Sequence, residues 1–203
     1  SVSDCTVIGA FAGDAITTGG NNVALGREAL TSETTAAANV ALGTFTLYNQ
    51  NVGSGINAQN VGVGHQAGYA ITTGVQNTIL GGYAGDALTD ADYNVVIGNE
   101  ALTADTLGSR TVAIGYRALA TQNFSTATNS DNTAVGYNAG YGMTTGTRNN
   151  LFGSFVGDAI TTGVENAIFG YLSGTSLTDA DYNCVLGTQA LATDTKGSRS
   201  VAI

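Results

Sequence analysis

The chain has 203 residues, of which 10% are charged and 43% apolar, with a net charge of −9, 29 glycines, no proline and no tryptophan. Its basic residues, Arg27, Arg110, Arg117, Arg148, Lys196 and Arg199, are scattered and make no patch to hold phosphates, so nucleic acid is not an expected partner. No run of 18 apolar residues and no signal-peptide pattern occurs, so membrane insertion within this segment is not expected either.

Along the whole chain a glycine preceded by a branched or aromatic apolar residue recurs: Gly9, Gly26, Gly43, Gly64, Gly81, Gly98, Gly115, Gly136, Gly153, Gly170 and Gly187. The intervals are 17, 17, 21, 17, 17, 17, 21, 17, 17 and 17 residues, and Ile203 stops one residue short of a further copy. So constant a period predicts one small unit stacked many times. The expected fold is all-β, a repetitive solenoid or β-roll with 17 residues and two short strands per coil. Residues 1–203 read as a single array, and because both ends fall inside a repeat the array is expected to be a segment of a longer fibre.

The unit is best described by counting from the marker glycine as zero. Position −4 is Asn in nine copies: Asn22, Asn39, Asn60, Asn77, Asn94, Asn132, Asn149, Asn166 and Asn183. Rows of buried-ladder amides, or residues in a left-handed bend, explain such a column better than ligands do. Positions −3 to −1 form a short β-branched and apolar run that reads as a strand. Side chains alternate between faces, so −1 and −3 share one face and −2 takes the other. Both faces are apolar; one is expected to fill the coil and the other to meet a second surface, most simply a neighbouring chain. The alternative is that the alanines at −2 are tolerated in the open.

The second half of the unit shows an exchange. Where position +4 is Gly (Gly13, Gly68, Gly85, Gly140, Gly157, Gly174), position +7 is Ile16, Ile71, Leu88, Met143, Ile160 or Leu177. Where +4 is Leu (Leu30, Leu47, Leu102, Leu119, Leu191), +7 is polar: Glu33, Gln50, Asp105, Gln122 or Asp194. One large side chain per coil, supplied from either place, is what a cavity of fixed volume requires. Position +8 is Thr in nine of eleven units and reads as a second strand. The two 21-residue units insert polar residues around 53–59 and 124–131, expected as loops bulging from one side.

Few residues invite chemistry. His65, the single histidine, occupies a variable position, and no Cys–His pair or zinc set can be assembled, so no catalytic residue, cofactor or metal is expected. Cys5 and Cys184 lie ten coils apart, roughly 48 Å at the usual strand spacing, too far for a disulfide. Cys184 replaces Val or Thr and is expected to be a small buried hydrophobe. Asp90 with Asp92, Asp179 with Asp181, and Asp14, Asp86 and Asp158 could place oxygens on calcium or cap their own turns. The rings at +5 (Tyr48, Tyr69, Tyr141) and +2 (Phe11, Phe45, Tyr83, Phe155) would serve sugar stacking or contact between chains. Each coil holds only two or three sizeable aliphatics, so association of copies about an axis is expected to complete its burial.

The phrases NTAVGYNAGYGMTTGTRNN at 132–150, NVGVGHQAGYAITTGVQNTILGGYAG at 60–85 and SRTVAIGYRAL at 109–119 carry a resemblance over essentially the whole chain. They resemble the N-T-A-I-G-Y repeats of bacteriophage tail-fibre proteins, and are similar to the S-V-A-I-G repeats of trimeric autotransporter adhesin heads. The resemblance implies a trimeric rod on a virion or cell surface that contributes to attachment to a host glycan or protein receptor. It carries over no receptor residues. The duplicated block at 86–115 and 175–203, offset by 89 residues, fits a role in setting length. Two other classes stay open: an ice- or crystal-binding face made of the Thr rows, and an end-to-end extracellular filament. The paired acids of an enzymatic tailspike cannot be placed.

Overall fold

The computed structural model describes residues 4–53 and 55–203; Ser54, in the first insertion, lies outside the described residues. The chain forms a parallel β-solenoid of 17-residue coils, each contributing one short strand, with no helix among the described residues. In chain order these are β1 (Thr6–Ile8), β2 (Val23–Leu25), β3 (Val40–Leu42), β4 (Val61–Val63), β5 (Thr78–Leu80) and β6 (Val95–Ile97). They continue with β8 (Val112–Ile114), β10 (Thr133–Val135), β11 (Asn150–Phe152), β12 (Ala167–Phe169), β13 (Cys184–Leu186) and β14 (Val201–Ala202). All twelve pair in that order into one parallel sheet.

The register joins equivalent positions: Val23 lies beside Val40, Ala24 beside Ala41 and Leu25 beside Leu42. It survives the first 21-residue coil, where Val40 pairs with Val61 and Leu42 with Val63. The extra residues are therefore absorbed on the other side of the coil. The marker glycine explains the constancy of the bend. Gly26 has a φ of +137°, and a Cβ there would meet the carbonyl oxygen of Gly43 in the next coil at 2.5 Å. Only glycine satisfies both conditions.

The interior is where the exchange between +4 and +7 is resolved. Leu30, Leu47, Leu102 and Leu119 from +4, and Ile71, Leu88, Met143, Ile160 and Leu177 from +7, are all fully buried in one continuous core. A Cβ on Gly85 would meet Leu88 Cδ1 at 2.9 Å, and one on Gly157 would meet Ile160 Cδ1 at 2.8 Å. The two positions fill the same space, so a coil holds one or the other. Leucine at +4 also accepts a left-handed backbone, with φ of 53° at Leu30 and 49° at Leu47. That conformation costs about 1–2 kcal/mol, against about 1.5–3 kcal/mol from burying the side chain.

Three expectations need correction. Position −2 fills the coil: Ala24, Ala41, Ile79, Val96, Leu151, Ile168 and Val185 are fully buried, while −1 and −3 face outward. Cys184, at −3, is consequently exposed. The second side of the coil is tied by hydrogen bonds between coils, such as Thr72 N to Thr89 O at 3.0 Å. Paired strands there are confined to β7 (Gly108–Ser109) with β9 (Thr128–Asn129), beside an isolated bridge of Ala37 to Asn57. The insertions do not simply bulge. Val52 and Ala58 turn back onto Ala36 in a small satellite cluster, and Phe124 is buried under Gly108.

Candidate functional site

The largest chemical feature of the surface is the outward face of the twelve-stranded sheet. Its −1 column runs Ile8, Leu25, Leu42, Val63, Leu80, Ile97, Ile114, Val135, Phe152, Phe169 and Leu186, each half-buried or exposed. Its −3 column is mostly Val and Thr, from Val23 to Val112 and Thr133, with the same partial exposure except at exposed Thr78. Neighbouring rungs cover each other only edgewise, as where the Phe152 and Phe169 rings stack at 5.0 Å between centroids. Water meets an apolar strip as long as the molecule.

Two left-handed bends frame this strip. On one side position −5 carries Gln59, Gln76, Tyr93, Arg110, Asp131, Arg148, Glu165 and Tyr182, all with φ between 51° and 60°. Their side chains link along the stack: Arg110 Nε donates to Asp131 Oδ1 at 2.7 Å, and Arg148 Nε to Glu165 Oε1 at 2.9 Å. On the other side, rings at +1, +2 and +5 form two clusters. Phe45, Tyr48, His65, Tyr69 and Tyr83 touch in one, with the Arg27 guanidinium 4.8 Å over Phe45. Tyr116, Tyr137 and Phe155 form the other, and Arg117 lies 5.0 Å over Tyr141. The aromatic positions at +2 and +5 are thus brought together on one rim, and His65 sits among them edge-on to Tyr83 at 5.2 Å.

The asparagine column lies inside, at a corner of the coil. Asn22 Nδ2 donates to Ala36 O at 2.9 Å, closing its own coil, while its Oδ1 accepts from Asn39 N at 2.9 Å, tying in the next. Asn60, Asn77 and Asn94 repeat this pattern, as do Asn132, Asn149, Asn166 and Asn183. Thr111 receives the run from Asn94 but has no amide to pass on, so Asn132 N turns to Ser130 Oγ at 3.3 Å. The marker glycines from Gly9 to Gly187 all bend at φ between 131° and 142° beside these amides.

The acidic turns are occupied by the chain itself. Asp90 accepts from Thr73 Oγ1 at 2.6 Å, and Asp92 and Asp181 accept backbone N–H groups of Val75 and Val164 at 2.7 and 2.8 Å. Burial raises the Asp86 carboxyl above its ordinary value, and the Thr103 hydroxyl pulls it back. Burial likewise raises Asp158. No group of three or more His, Cys, Asp or Glu that could hold a metal is found among the described residues. The threonine row spends its hydroxyls inward along the stack, as from Thr89 Oγ1 to Thr106 O at 3.0 Å, and Asn51 and Asn123 interrupt it.

Sequence reasoning missed two buried acid–amide chains. Glu33 is fully buried; its Oε1 accepts from Thr35 N and Ala36 N at 3.0 and 2.7 Å, and its Oε2 from Gln50 Nε2 at 3.3 Å. Gln50 Oε1 in turn accepts from Asn60 Nδ2 at 3.0 Å. Asp105 repeats the arrangement with Gln122 Nε2 at 2.7 Å, and Gln122 Oε1 accepts from Asn132 Nδ2 at 2.8 Å. The signal was present: both times an acid at +7 precedes a 21-residue coil with Gln at +7.

No pocket indents the described surface, and no helix among the described residues is long and apolar enough to cross a membrane. No protein-family model, characterised protein or solved structure matches the chain. Fold and surface define it as a parallel β-solenoid repeat protein whose interior is closed by stacked asparagines.

Proposed function

We propose that the chain is a stiff structural segment of a surface attachment fibre, such as a phage tail fibre or a comparable cell-surface adhesin. It works as a homo-oligomer bundled through the outward sheet face, with three copies the number that the sequence resemblance implies. The observation that carries this reading is the apolar strip of −1 and −3 side chains running unbroken from β1 to β14. Twelve rungs about 4.8 Å apart, each three residues of about 3.3 Å wide, present roughly 500 Å² per copy. Two such strips bury about 1,000 Å², the floor for a specific interface, before either rim is counted. On a lone soluble chain an apolar patch of this size is at the upper end of what occurs.

In this reading the function is mechanical. A parallel stack whose every coil is tied by backbone ladders and asparagine amides resists bending and sets a length, and bundling multiplies both effects. Contacts with a host glycan or protein receptor would be made by the exposed rings of the rim, such as Tyr83, Tyr137 and Tyr171, many times over and each weakly. Native mass spectrometry with electron microscopy tests the proposal. A mass of three chains in discrete rods of fixed length is expected; a single-chain mass at micromolar concentration, or indefinite polymers, would overturn it.

A further inference from the structure

We propose that the copies meeting at the outward face run parallel with like rungs level, each rung packing against the same rung of its neighbour. The inference rests on the reading above, that copies of this chain cover that face.

It comes from a second volume exchange, on the outside of the coil. Where position −1 is Val, Leu or Ile, position −3 is Val, Thr or Cys: Val23 with Leu25, Val61 with Val63, Thr78 with Leu80, Val112 with Ile114, Cys184 with Leu186. Phenylalanine stands at −1 in two rungs, Phe152 and Phe169, and these carry Asn150 and Ala167 at −3, the two departures from the rule. A larger −1 side chain is thus offset by a smaller or non-branched −3 side chain of the same strand. The interior shows what such an exchange means, since +4 and +7 trade size because both enter one closed space. Side chains open to water need no such trade, because surface substitutions are tolerated within about 0.5 kcal/mol; packed ones do.

The offset also fixes the geometry. When like rungs are level, the space at each rung is filled by that rung's own −3 and −1 residues from every copy, so the trade must fall within one rung, as it does. In a fully overlapped antiparallel pair Phe169 would face Val40 and Leu42, neither of them reduced to make room. A parallel arrangement with staggered rungs would not close into a symmetric assembly.

Two measurements test the register. With Cys5→Asn, which restores the residue other rungs carry, Cys184 is the single thiol and takes a spin label. Level rungs place the Cys184 labels of two copies well under half the separation of a fully overlapped antiparallel pair, which is nine rungs or about 43 Å. The second arm needs no label. Asn150→Val beside Phe152 overfills its rung and is expected to raise the dissociation constant about tenfold or more. Adding Phe152→Leu recreates the Val23–Leu25 pair and is expected to restore assembly to within about threefold, a coupling that independent surface sites lack. A single-chain mass for the unmodified protein removes the proposed function together with this inference. An oligomer with the long distance, or with uncoupled effects of the two substitutions, removes the register alone.

Discussion

The marker glycine is the residue on which every coil turns. Gly64 has a φ of +131°, and a Cβ there would stand 2.5 Å from the carbonyl oxygen of Gly81. Gly64→Ala is therefore expected to cost about 2–5 kcal/mol, read as a lowered urea midpoint. Asp105 offers a test with a sign. Burial pushes its carboxyl above 3.8, against the pull of Gln122 and of backbone N–H groups. The folded chain then keeps this proton at pH values where the unfolded chain has lost it. Stability from this group is gained as pH falls towards 3.8 and lost as pH rises through the raised value. Asp86 and Asp158 act in the same direction. Urea titrations between pH 4 and 7 are expected to show wild type losing ground to Asp105→Asn as pH rises; the opposite slope would refute the assignment.

The coil is the unit of packing, and its one-large-residue rule is open to a mutant cycle. Gly68→Leu adds a side chain that collides with Leu47, Ile71 and Ile79, for a cost of about 1–3 kcal/mol. Ile71→Ala empties the same space, for about 2–5 kcal/mol. Together they re-create the leucine pattern of Leu102, so the double variant is expected to lose at least about 1 kcal/mol less than the sum. This rule was legible in the residues alone, because volume conservation leaves a trace in sequence. The buried chain from Asp105 through Gln122 to Asn132 was not read, although its residues were in view. Polar residues at +7 look like surface residues until the leucine at +4 is seen to carry them over a closed interior. The −2 face was also misread, since alanine is as common in the open as in a narrow core.

At the scale of the whole molecule the outward face decides behaviour. Ile97 and Ile114 lie on neighbouring rungs near its middle, both half-buried in the single chain. Replacing both by Lys is expected to leave the far-ultraviolet circular dichroism unchanged, because neither side chain enters the coil. The same double variant is expected to bring the native mass down to one chain, since two charges per copy would be desolvated at the contact. Retention of the full oligomer would place the contact elsewhere, with the aromatic rim of Phe45, Tyr69 and Tyr83 the next surface to probe.

Period, strand and bend were determined by the sequence itself. A glycine every 17 residues after a short apolar run admits few structures, because only a stack repeats one backbone conformation without drift. The asparagine column belonged to that pattern as well. Which apolar face turned inward was decided only in three dimensions: the strand alternates both ways, and the left-handed bends at −5, +2 and +4 aim it. The same holds for Glu33 and Asp105, whose partners lie 17 residues away in the chain and under 3.4 Å away in space. Such neighbours exist only once the coils have stacked.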